Sequence, residues 1–248
     1  MEIPWELLKR LSEAEHISVL TGAGISAESG IKTFRDPDGL WTKMSPMELA
    51  SAEGFMKNPE LVWGWYKQRR EMMASKKPNP GHYAIVEMET LFPNFTLITQ
   101  NIDRLHQTAG SKYALELHGN IVDNHCMDCN EPFKDEIDPE SKTPPKCKKC
   151  SGNVRPSVVW FGEILPTDIL RRAQESASNC DVFFSIGTSA EVYPAADLPL
   201  IALRNGAYTI EVNPNKTVIS NYMHTRLEAP SGEALPMLVD AYKKYMNE

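Results

Sequence analysis

The segment Ser18-Val-Leu-Thr-Gly-Ala-Gly-Ile-Ser-Ala-Glu-Ser-Gly30 places a glycine-rich loop directly after a short apolar stretch. Ile17–Thr21 is predicted to form a buried strand, and the loop after it is predicted to lead into a helix. Gly22 and Gly24 permit a tight turn and a close approach of the backbone to a pyrophosphate. Amide groups at the start of the following helix can bind phosphates. By itself, the loop is compatible with nucleotide binding or with a purely structural turn.

The loop departs from the fingerprint of dinucleotide-binding dehydrogenases. Ala27 stands where the fingerprint has its third glycine, and the fingerprint tolerates this replacement. The fingerprint also has an acidic residue about 20 residues further on, at the end of a second strand. Glu48 lies near that distance, but residues 46–50 are predicted to begin a helix. An ordinary dehydrogenase unit therefore fits this sequence poorly.

Strands and helices alternate along the rest of the chain. Further apolar strands are predicted at Phe95–Thr99, Val182–Ile186 and Tyr208–Val212, and helices at residues 4–14, 59–75, 80–91, 166–178 and 232–246. This alternation predicts an α/β protein with a Rossmann-like parallel sheet and helices on both faces. Residues 22–24, 100–103 and 187–189 each follow a predicted strand. Because open parallel sheets bind ligands beyond the carboxyl ends of their strands, we expect these three loops to line one site.

Composition and charge narrow the class of protein. The chain has 248 residues, of which 42% are hydrophobic and 24% charged, and such a chain can bury a sizeable core without disulfides. It contains no apolar run long enough to span a membrane, and its first residues lack the pattern of a signal peptide, so a cytoplasmic location is predicted. The net charge of −7 disfavours nucleic acid as a partner. The four lysines within residues 142–149 are interpreted as solvated surface.

Four of the five cysteines form two pairs, Cys126 with Cys129 and Cys147 with Cys150. Each pair has the Cys-x-x-Cys spacing, and the 17 residues between the pairs are typical of a zinc ribbon. The stretch from Cys126 to about Arg155 is poor in apolar residues, so we expect a metal ion to hold it together. Two disulfides are the alternative, which a cytosolic location disfavours. Because four sulfur ligands leave no open position, the zinc ion would be structural.

Several further segments occur in a characteristic order. They are residues 22–35, Gly-Ala-Gly-Ile-Ser-Ala-Glu-Ser-Gly-Ile-Lys-Thr-Phe-Arg; residues 99–106, Thr-Gln-Asn-Ile-Asp-Arg-Leu-His; residues 117–120, Leu-His-Gly-Asn; the two Cys-x-x-Cys pairs; Arg155-Pro; residues 159–163, Val-Trp-Phe-Gly-Glu; residues 187–189, Gly-Thr-Ser; and Val212-Asn213. Together they closely resemble the sirtuin family, over about residues 15 to 240. The combination is highly specific, although no single segment is.

The resemblance implies a single catalytic region over residues 1–248. Its large Rossmann-like domain would comprise about residues 13–35, 80–118 and 156–248, with a small zinc-binding domain at about 119–155 and a helical insert at about 36–79. NAD as co-substrate and an acyl-lysine protein or peptide would enter the cleft between the domains from opposite sides. The implied activity is that of an NAD-dependent protein-lysine deacylase, and a monomer is expected.

The resemblance also implies catalytic roles for three residues. His118 matches the family's catalytic histidine, and histidine suits a general base because its pKa lies near neutrality. It would activate a ribose hydroxyl, and the products would be free lysine, nicotinamide and O-acyl-ADP-ribose. Asn101 and Asp103 match the nicotinamide pocket, whose carboxamide ligand needs paired donors and acceptors. Without the family, His118 could equally be a turn histidine, and Asn101 and Asp103 could be loop caps.

The implied cofactor-binding residues come from several loops. Phe34 would shield the reactive ribose from water and free nicotinamide, and Gln100 would contact the nicotinamide ribose. Ser189 and Asn213 would contact ribose and adenine in place of the missing acidic residue. The full set is Gly22, Ala23, Gly24, Ser26, Ala27, Phe34, Arg35, Trp41, Gln100, Asn101, Ile102, Asp103, Gly187, Thr188, Ser189, Asn213, Pro214, Asn215 and Ser231.

Residues 159–163 and 191–193 match the segments that flank the substrate peptide in the family. A peptide bound between them as an additional strand would be held by backbone hydrogen bonds, which tolerate many sequences. The substrate proteins therefore cannot be predicted from these segments. The implied substrate-binding residues are Tyr66, Arg69, Val159, Phe161, Gly162, Glu163 and Val192.

Tyr66 and Arg69 predict the type of acyl group. They are three residues apart on one face of a predicted helix, and they resemble the Tyr-x-x-Arg pair of sirtuins that remove succinyl, malonyl and glutaryl groups. Ala50 falls where those enzymes have a small residue that widens the acyl pocket. A guanidinium and a phenol could bind the acyl carboxylate, whose burial is costly unless it is paired. Alternatively, Arg69 pairs with a distant acid or points to water. Removal of acetyl groups is expected to coexist.

Three other functions stay open at this point. A sirtuin-like protein ADP-ribosyltransferase would share the NAD site and differ only in its products. A non-catalytic NAD or ADP-ribose sensor is disfavoured because His118, Asn101 and Asp103 are all present. A zinc-ribbon module that binds nucleic acid is disfavoured by the acidic net charge.

Overall fold

Two β-sheets organise the protein, whose computed structural model describes residues 2–32, 45–138 and 141–247. The strands in these residues are β1 (His16–Thr21), β2 (Asn94–Thr99), β3 (Ala114–Glu116), β4 (Gly119–Cys126), β5 (Pro132–Phe133), β6 (Val154–Val158), β7 (Val182–Ile186), β8 (Tyr208–Val212) and β9 (Thr225–Leu227). Six of them form a parallel sheet in the order β3-β2-β1-β7-β8-β9, in which Val19 lies opposite Leu97 and Phe184. The other three form a small antiparallel sheet in the order β5-β4-β6.

Ten α-helices occur in the described residues. They are α1 (Trp5–Glu13), α2 (Gly24–Ala27), α3 (Pro46–Leu49), α4 (Ala52–Lys57), α5 (Pro59–Ala74), α6 (Pro80–Leu91), α7 (Leu105–Ala109), α8 (Thr167–Asn179), α9 (Leu198–Arg204) and α10 (Ser231–Met246), with short 3-10 turns at Ala195–Asp197 and Ser220–Tyr222. Asn58 caps α5, with Pro59 in the first position, and Asn79 caps α6. Among these helices, none combines the length and apolar character that a membrane span requires.

The parallel sheet separates two apolar cores. Helices α1, α6 and α10 cover one face, where Leu11 and Leu238 belong to the same buried cluster as Val19. Helices α8 and α9 cover the other face, where Ala202 clusters with Phe183. Because the central strands are buried on both faces, their sequences are almost continuously apolar.

The fold class predicted from the sequence is confirmed. Strands β7 and β8 coincide with the predicted ones, and the five predicted helices occur as α1, α5, α6, α8 and α10 with ends that differ by at most one residue. The edge strands β3 and β9 are absent from the prediction, since three residues are too few to reveal a period of two.

The topology creates a crevice at the carboxyl end of β1. From β1 the chain crosses to β2 on one side, whereas β7 lies on the other side, so the strand order reverses between β1 and β7. The loops that follow these strands meet at this point. The Gln100 N–H donates to the Thr21 carbonyl at 3.0 Å, and the Gly22 N–H donates to the Ile186 carbonyl at 2.9 Å. Open parallel sheets bind their ligands at such a switch point.

A third apolar cluster connects α4 and α5 with the small sheet. It contains Phe55 and Tyr66 from the helices, Ile121 and Val158 from the small sheet, and Trp160 from the segment that follows β6. The helices and the small sheet therefore share one core outside the parallel sheet, close to the switch point.

Candidate active site and metal centre

The glycine loop is shaped by its contact with the loop after β7. The Gly24 N–H donates to the Gly187 carbonyl at 2.7 Å, and a Cβ on Gly24 would lie 2.7 Å from the Gly187 Cα. A Cβ on Gly22 would lie 2.7 Å from the Thr188 Cβ, and Gly187 itself has a φ of +59°. Side chains at these positions would push the loops apart. The sequence suggests approach to a pyrophosphate as the reason for these glycines, and the fold adds this contact between two loops.

Three predicted site residues are joined by hydrogen bonds. The Ser26 hydroxyl donates to Asp103 Oδ2 at 2.7 Å and accepts from Asn101 Nδ2 at 3.2 Å. Asn101 Nδ2 also donates to the Gly22 carbonyl at 3.0 Å. Asp103 Oδ1 accepts from the N–H of Leu105, the first residue of α7, at 2.9 Å. Burial raises the pKa of Asp103, and these hydrogen bonds partly offset that effect.

His118 lies at the start of β4 with its imidazole held in one tautomer. Its Nδ1 is 3.0 Å from the backbone carbonyl of Gln100, which can only accept a hydrogen bond. Nδ1 therefore carries the proton, and the lone pair is on Nε2. Burial lowers the pKa of His118, an effect that this hydrogen bond partly offsets, so the neutral form dominates at neutral pH. The next residue, Gly119, has a φ of +67°, and a Cβ there would overlap the Ser157 carbonyl oxygen.

Predicted cofactor residues in the loops after β2, β7 and β8 form a second hydrogen-bonded group. Gln100 Nε2 donates to the Thr188 hydroxyl at 3.0 Å, and Asn213 Nδ2 donates to the Thr188 carbonyl at 3.1 Å. The Asn215 N–H donates to Asn213 Oδ1 at 3.1 Å, which shapes the turn after β8. The loops after β2, β7 and β8 also carry the predicted cofactor residues Ile102, Ser189 and Pro214. Two more, Ala23 and Ala27, lie in the glycine loop and the short helix α2.

Among the described residues, one predicted cofactor residue lies apart from these loops. Ser231 begins α10, and its hydroxyl donates to the Glu28 carboxylate at 3.3 Å. This side chain is therefore directed at the end of α2, and a contact of the Ser231 backbone with adenine stays a prediction. Three further predicted cofactor residues, Phe34, Arg35 and Trp41, lie outside the described residues.

Residues 159–163 run between His118 and the helices α3 to α5. The Val159 N–H donates to the His118 carbonyl, and the Phe161 N–H donates to the Ala50 carbonyl, both at 2.9 Å. Phe161 itself is 50% exposed, as is Val192 at 48% on the other predicted flank. The backbone of the segment is thus fixed, and the Phe161 side chain faces solvent whereas the Trp160 side chain is buried.

An ion pair between Arg155 and Glu163 also fixes the segment of residues 159–163. Arg155, which is 4% exposed, pairs with the Glu163 carboxylate, and this carboxylate also accepts from the Trp160 N–H at 2.7 Å. The Glu163 N–H in turn donates to the Trp160 carbonyl. Among the amides of residues 159–163, that of Gly162 makes no hydrogen bond within the part of the chain that the structure describes. Sequence reasoning missed Arg155 and Trp160 as parts of this arrangement, because their partners are not evident from local spacing.

Tyr66 and Arg69 occupy one side of α5 near this segment. The Tyr66 side chain is buried, and its hydroxyl accepts a hydrogen bond from Trp160 Nε1 at 2.9 Å. The Arg69 guanidinium lies 5.0 Å from the Trp65 ring, and no carboxylate of the described residues forms an ion pair with it. Burial lowers the pKa of Arg69 to about 10, so the side chain is still charged at neutral pH.

The neighbouring Arg70 has a different environment. Its Nε donates to the Ile121 carbonyl and its Nη2 donates to Asn124 Oδ1, both at 2.9 Å. Arg70 therefore ties α5 to β4, whereas Arg69 has no such bond among the described residues. The sequence does not separate these two arginines.

The four paired cysteines converge on one point. All their sulfur atoms lie within 4.8 Å of one another, with Cys126 3.4 Å from Cys150 and Cys129 3.7 Å from Cys147. These separations exclude disulfides, whose sulfur atoms are about 2 Å apart. They fit a tetrahedral zinc ion, since bonds of about 2.3 Å place the ligands about 3.8 Å apart. The predicted cluster of four zinc ligands is confirmed.

Two of the lysines beside the metal centre form ion pairs with nearby carboxylates. Lys148 pairs with Asp135 and Lys149 pairs with Glu131, each at 2.8 Å, and all four side chains are well exposed. This arrangement agrees with the interpretation as solvated surface.

Two buried histidines, one in α6 and one in α7, lead to a prediction about acid stability. The rings of His82 and His106 are 5.0 Å apart, and burial lowers the pKa of His82 to about 4 and that of His106 to about 3.

In the unfolded chain both pKa values are near 6.5, so below that pH the unfolded state binds more protons. We expect the free energy of unfolding to fall from about pH 6.5 towards pH 4, by up to about 3 kcal/mol per histidine. Urea titrations at several pH values measure this loss. The comparison is a variant with both His82→Gln and His106→Gln; an equally steep loss in that variant would assign the acid sensitivity to other groups.

Comparisons with known proteins agree on one family. A model of the Sir2 family matches residues 22–194. The NAD-dependent protein deacylase of Aquifex aeolicus (strain VF5) is 53% identical over 219 residues, which are 88% of this chain and 92% of that protein.

Solved structures match over nearly the whole chain. A complex of a Sir2 homologue with NAD has a TM-score of 0.92 and 44% identity, and the match covers 99% of this chain and 96% of that one. A complex of Sir2 with a p53 peptide and NAD+ has a TM-score of 0.86 and 33% identity. This match covers 98% of this chain and 100% of that one.

Proposed function

The chain belongs to the Sir2 family, and on this premise we propose that it is an NAD-dependent protein-lysine deacylase that removes acetyl, succinyl and malonyl groups. The observation that carries the proposal is the His118 imidazole, whose Nε2 is free to accept a proton at the switch point of the sheet. We also propose that NAD and the modified lysine meet in the cleft between the large domain and the small zinc-binding domain.

The polar groups at the switch point fit NAD. Asn101 and Asp103 offer an amide and a carboxylate to a nicotinamide carboxamide, and Ser26 holds both side chains in place. Ser189 and Asn213 stand at the ends of β7 and β8, where polar side chains can bind a ribose and an adenine. When bound, NAD supplies an electrophilic ribose carbon and nicotinamide as the leaving group.

His118 is the proposed general base. Because its Nδ1–H donates to the Gln100 carbonyl, its Nε2 can accept a proton from a ribose hydroxyl. Burial favours the neutral imidazole, which is the form that a base needs. The His118 carbonyl accepts the Val159 N–H, so the base and the proposed peptide-binding segment are linked directly.

The substrate peptide is proposed to lie between residues 159–163 and 191–193. The Gly162 N–H offers a backbone donor, and the exposed side chains of Phe161 and Val192 offer apolar contacts. Peptide binding as such is supported by the related complex of Sir2 with a p53 peptide and NAD+.

Tyr66 and Arg69 are the proposed ligands of an acidic acyl group. Both are on α5, and Ala50, Tyr66 and Trp160 share one cluster that reaches the peptide-binding segment. Arg69 is half-buried and charged without a carboxylate partner among the described residues, which is costly unless a ligand supplies one. A succinyl or malonyl carboxylate would complete this pair.

We expect Arg69→Met to lower kcat/KM for succinyl-lysine. The loss should correspond to about 2–4 kcal/mol of transition-state binding free energy, the scale of losing a buried charge partner. Removal of acetyl groups should change little. The measurement is mass spectrometry of one peptide carrying acetyl, succinyl or malonyl lysine, with and without NAD. Arg70→Met is the matched control and should affect both acyl groups equally, because Arg70 holds α5 to β4. An equal loss of both activities in Arg69→Met rejects the role of Arg69.

The same assay tests the deacylase against the ADP-ribosyltransferase. Free lysine and O-acyl-ADP-ribose are the products of the proposed reaction, whereas an ADP-ribosylated protein would indicate the alternative. A cytoplasmic location and a monomeric state stay predictions from the sequence.

A further inference from the structure

Trp160 donates a hydrogen bond to the proposed acyl-binding tyrosine. The indole is buried, with 2% of the residue exposed, and its Nε1 is 2.9 Å from the Tyr66 hydroxyl. An indole N–H can only donate, so the tyrosine oxygen is the acceptor in this contact. This direction does not depend on any choice of hydrogen position.

The direction of that bond determines what Tyr66 can offer a ligand. Because the Tyr66 oxygen accepts the hydrogen bond from Trp160, the phenol's own proton is left for donation to a ligand. Within residues 2–32, 45–138 and 141–247, the hydroxyl donates to no acceptor. Burial raises the pKa of Tyr66 to about 12, so the proton is retained at neutral pH. A carboxylate, which only accepts, is the complementary ligand.

The side chains of Arg155 and Phe55 hold the Trp160 indole in place. The Arg155 guanidinium lies 3.3 Å from the centre of the Trp160 ring and pairs with Glu163. On another side, the Phe55 ring lies 5.3 Å from the Trp160 ring. The indole N–H therefore has little freedom to turn away from Tyr66.

We infer that Trp160 is a specificity-determining positioning residue, which directs the Tyr66 proton towards the carboxylate of an acidic acyl-lysine. The inference rests on the proposed acidic-acyl pocket and adds a residue that does not touch the acyl group itself. Trp160 acts through Tyr66, so its effect depends on the presence of the tyrosine hydroxyl.

The test is Trp160→Phe, which removes the N–H and keeps an aromatic ring. We expect the ratio of kcat/KM for succinyl-lysine to that for acetyl-lysine to fall roughly 3- to 10-fold, the scale of one hydrogen bond, mainly through a higher KM for succinyl-lysine. Because both substrates are measured on one preparation, the ratio does not depend on the fraction of folded enzyme.

Trp63→Phe is the matched control. Trp63 is also a buried tryptophan of this region, but its Nε1 has no hydrogen-bond partner among the described residues. Its replacement should leave the ratio unchanged. A drop equal to that of Trp160→Phe would show that loss of packing, and not of the hydrogen bond, changes the selectivity.

A double-mutant cycle with Tyr66→Phe separates the possible outcomes. If Trp160 acts through the tyrosine, Trp160→Phe should have no further effect on the ratio when Tyr66 is already phenylalanine. Additive effects, or an unchanged ratio in Trp160→Phe while Tyr66→Phe lowers it, would overturn the inference and leave the acidic-acyl pocket intact. If neither Tyr66→Phe nor Arg69→Met alters the ratio, the pocket itself is wrong and the inference fails with it.

Discussion

Replacement of His118 by alanine should lower kcat/KM for every acyl-lysine substrate by roughly 10²- to 10⁴-fold, the range of general base catalysis. The reason is the tautomer that the Gln100 carbonyl imposes, which leaves Nε2 as the proton acceptor. NAD should still bind, because no predicted nicotinamide contact involves this imidazole. Steady-state assays with acetyl and succinyl peptides measure the loss, and calorimetry measures NAD binding.

His224→Ala is the matched control for this replacement. The His224 ring stacks on Tyr208 at 4.9 Å and its Nδ1 contacts Thr209, at the far end of β8 from the site. The control should keep full deacylase activity. If the folded His118→Ala protein still consumed NAD and released free lysine at the normal rate, the proposed chemistry would be excluded.

Removal of zinc should unfold the small sheet and abolish deacylation. A structural zinc ion contributes about 10–16 kcal/mol of apparent binding free energy in isolated zinc fingers, and the stretch around the cysteines has little apolar surface to replace it. Strand β4 pairs Cys126 with Val154 and Gly119 with Val158, so the metal centre and the proposed peptide-binding segment are carried by the same two strands. Loss of the metal should therefore release residues 159–163 as well.

Chelation and Cys147→Ser test this expectation, with zinc content measured by mass spectrometry and local order by hydrogen exchange. Cys180→Ser serves as control, because Cys180 is buried before β7 and donates to the Ala177 carbonyl, away from the cluster of four. It should keep about one zinc ion per chain. Full activity in a sample free of zinc would show that the small sheet holds its shape without the metal.

Several features could be predicted from short-range patterns. The parallel sheet follows from apolar strands separated by helices, and β7 and β8 lie where the pattern predicts them. The metal centre follows from two Cys-x-x-Cys pairs, because the spacing within a pair is enough to bring two sulfur atoms together. The family could be predicted as well, since its motifs are segments read in order along the chain.

Other features exist only because distant segments meet. Gly24 contacts Gly187, Gln100 selects the tautomer of His118, and neither contact has a local signal in the sequence. The three-residue edge strands β3 and β9 also have no recognisable sequence pattern. They are strands because each pairs with a neighbouring strand.

The two adjacent arginines of α5 show the division most clearly. Local chemistry predicts a helix that carries two cations with no acidic residue three or four positions away, and it does not predict their partners. Folding brings β4 against α5, and Ile121 and Asn124 then bind Arg70, whereas Arg69 lies beside Trp65 with no carboxylate partner among the described residues. Helix periodicity and metal-ligand spacing are short-range properties that the sequence carries by itself. The partner of a buried charge is decided by which surfaces pack together, and that depends on the whole fold.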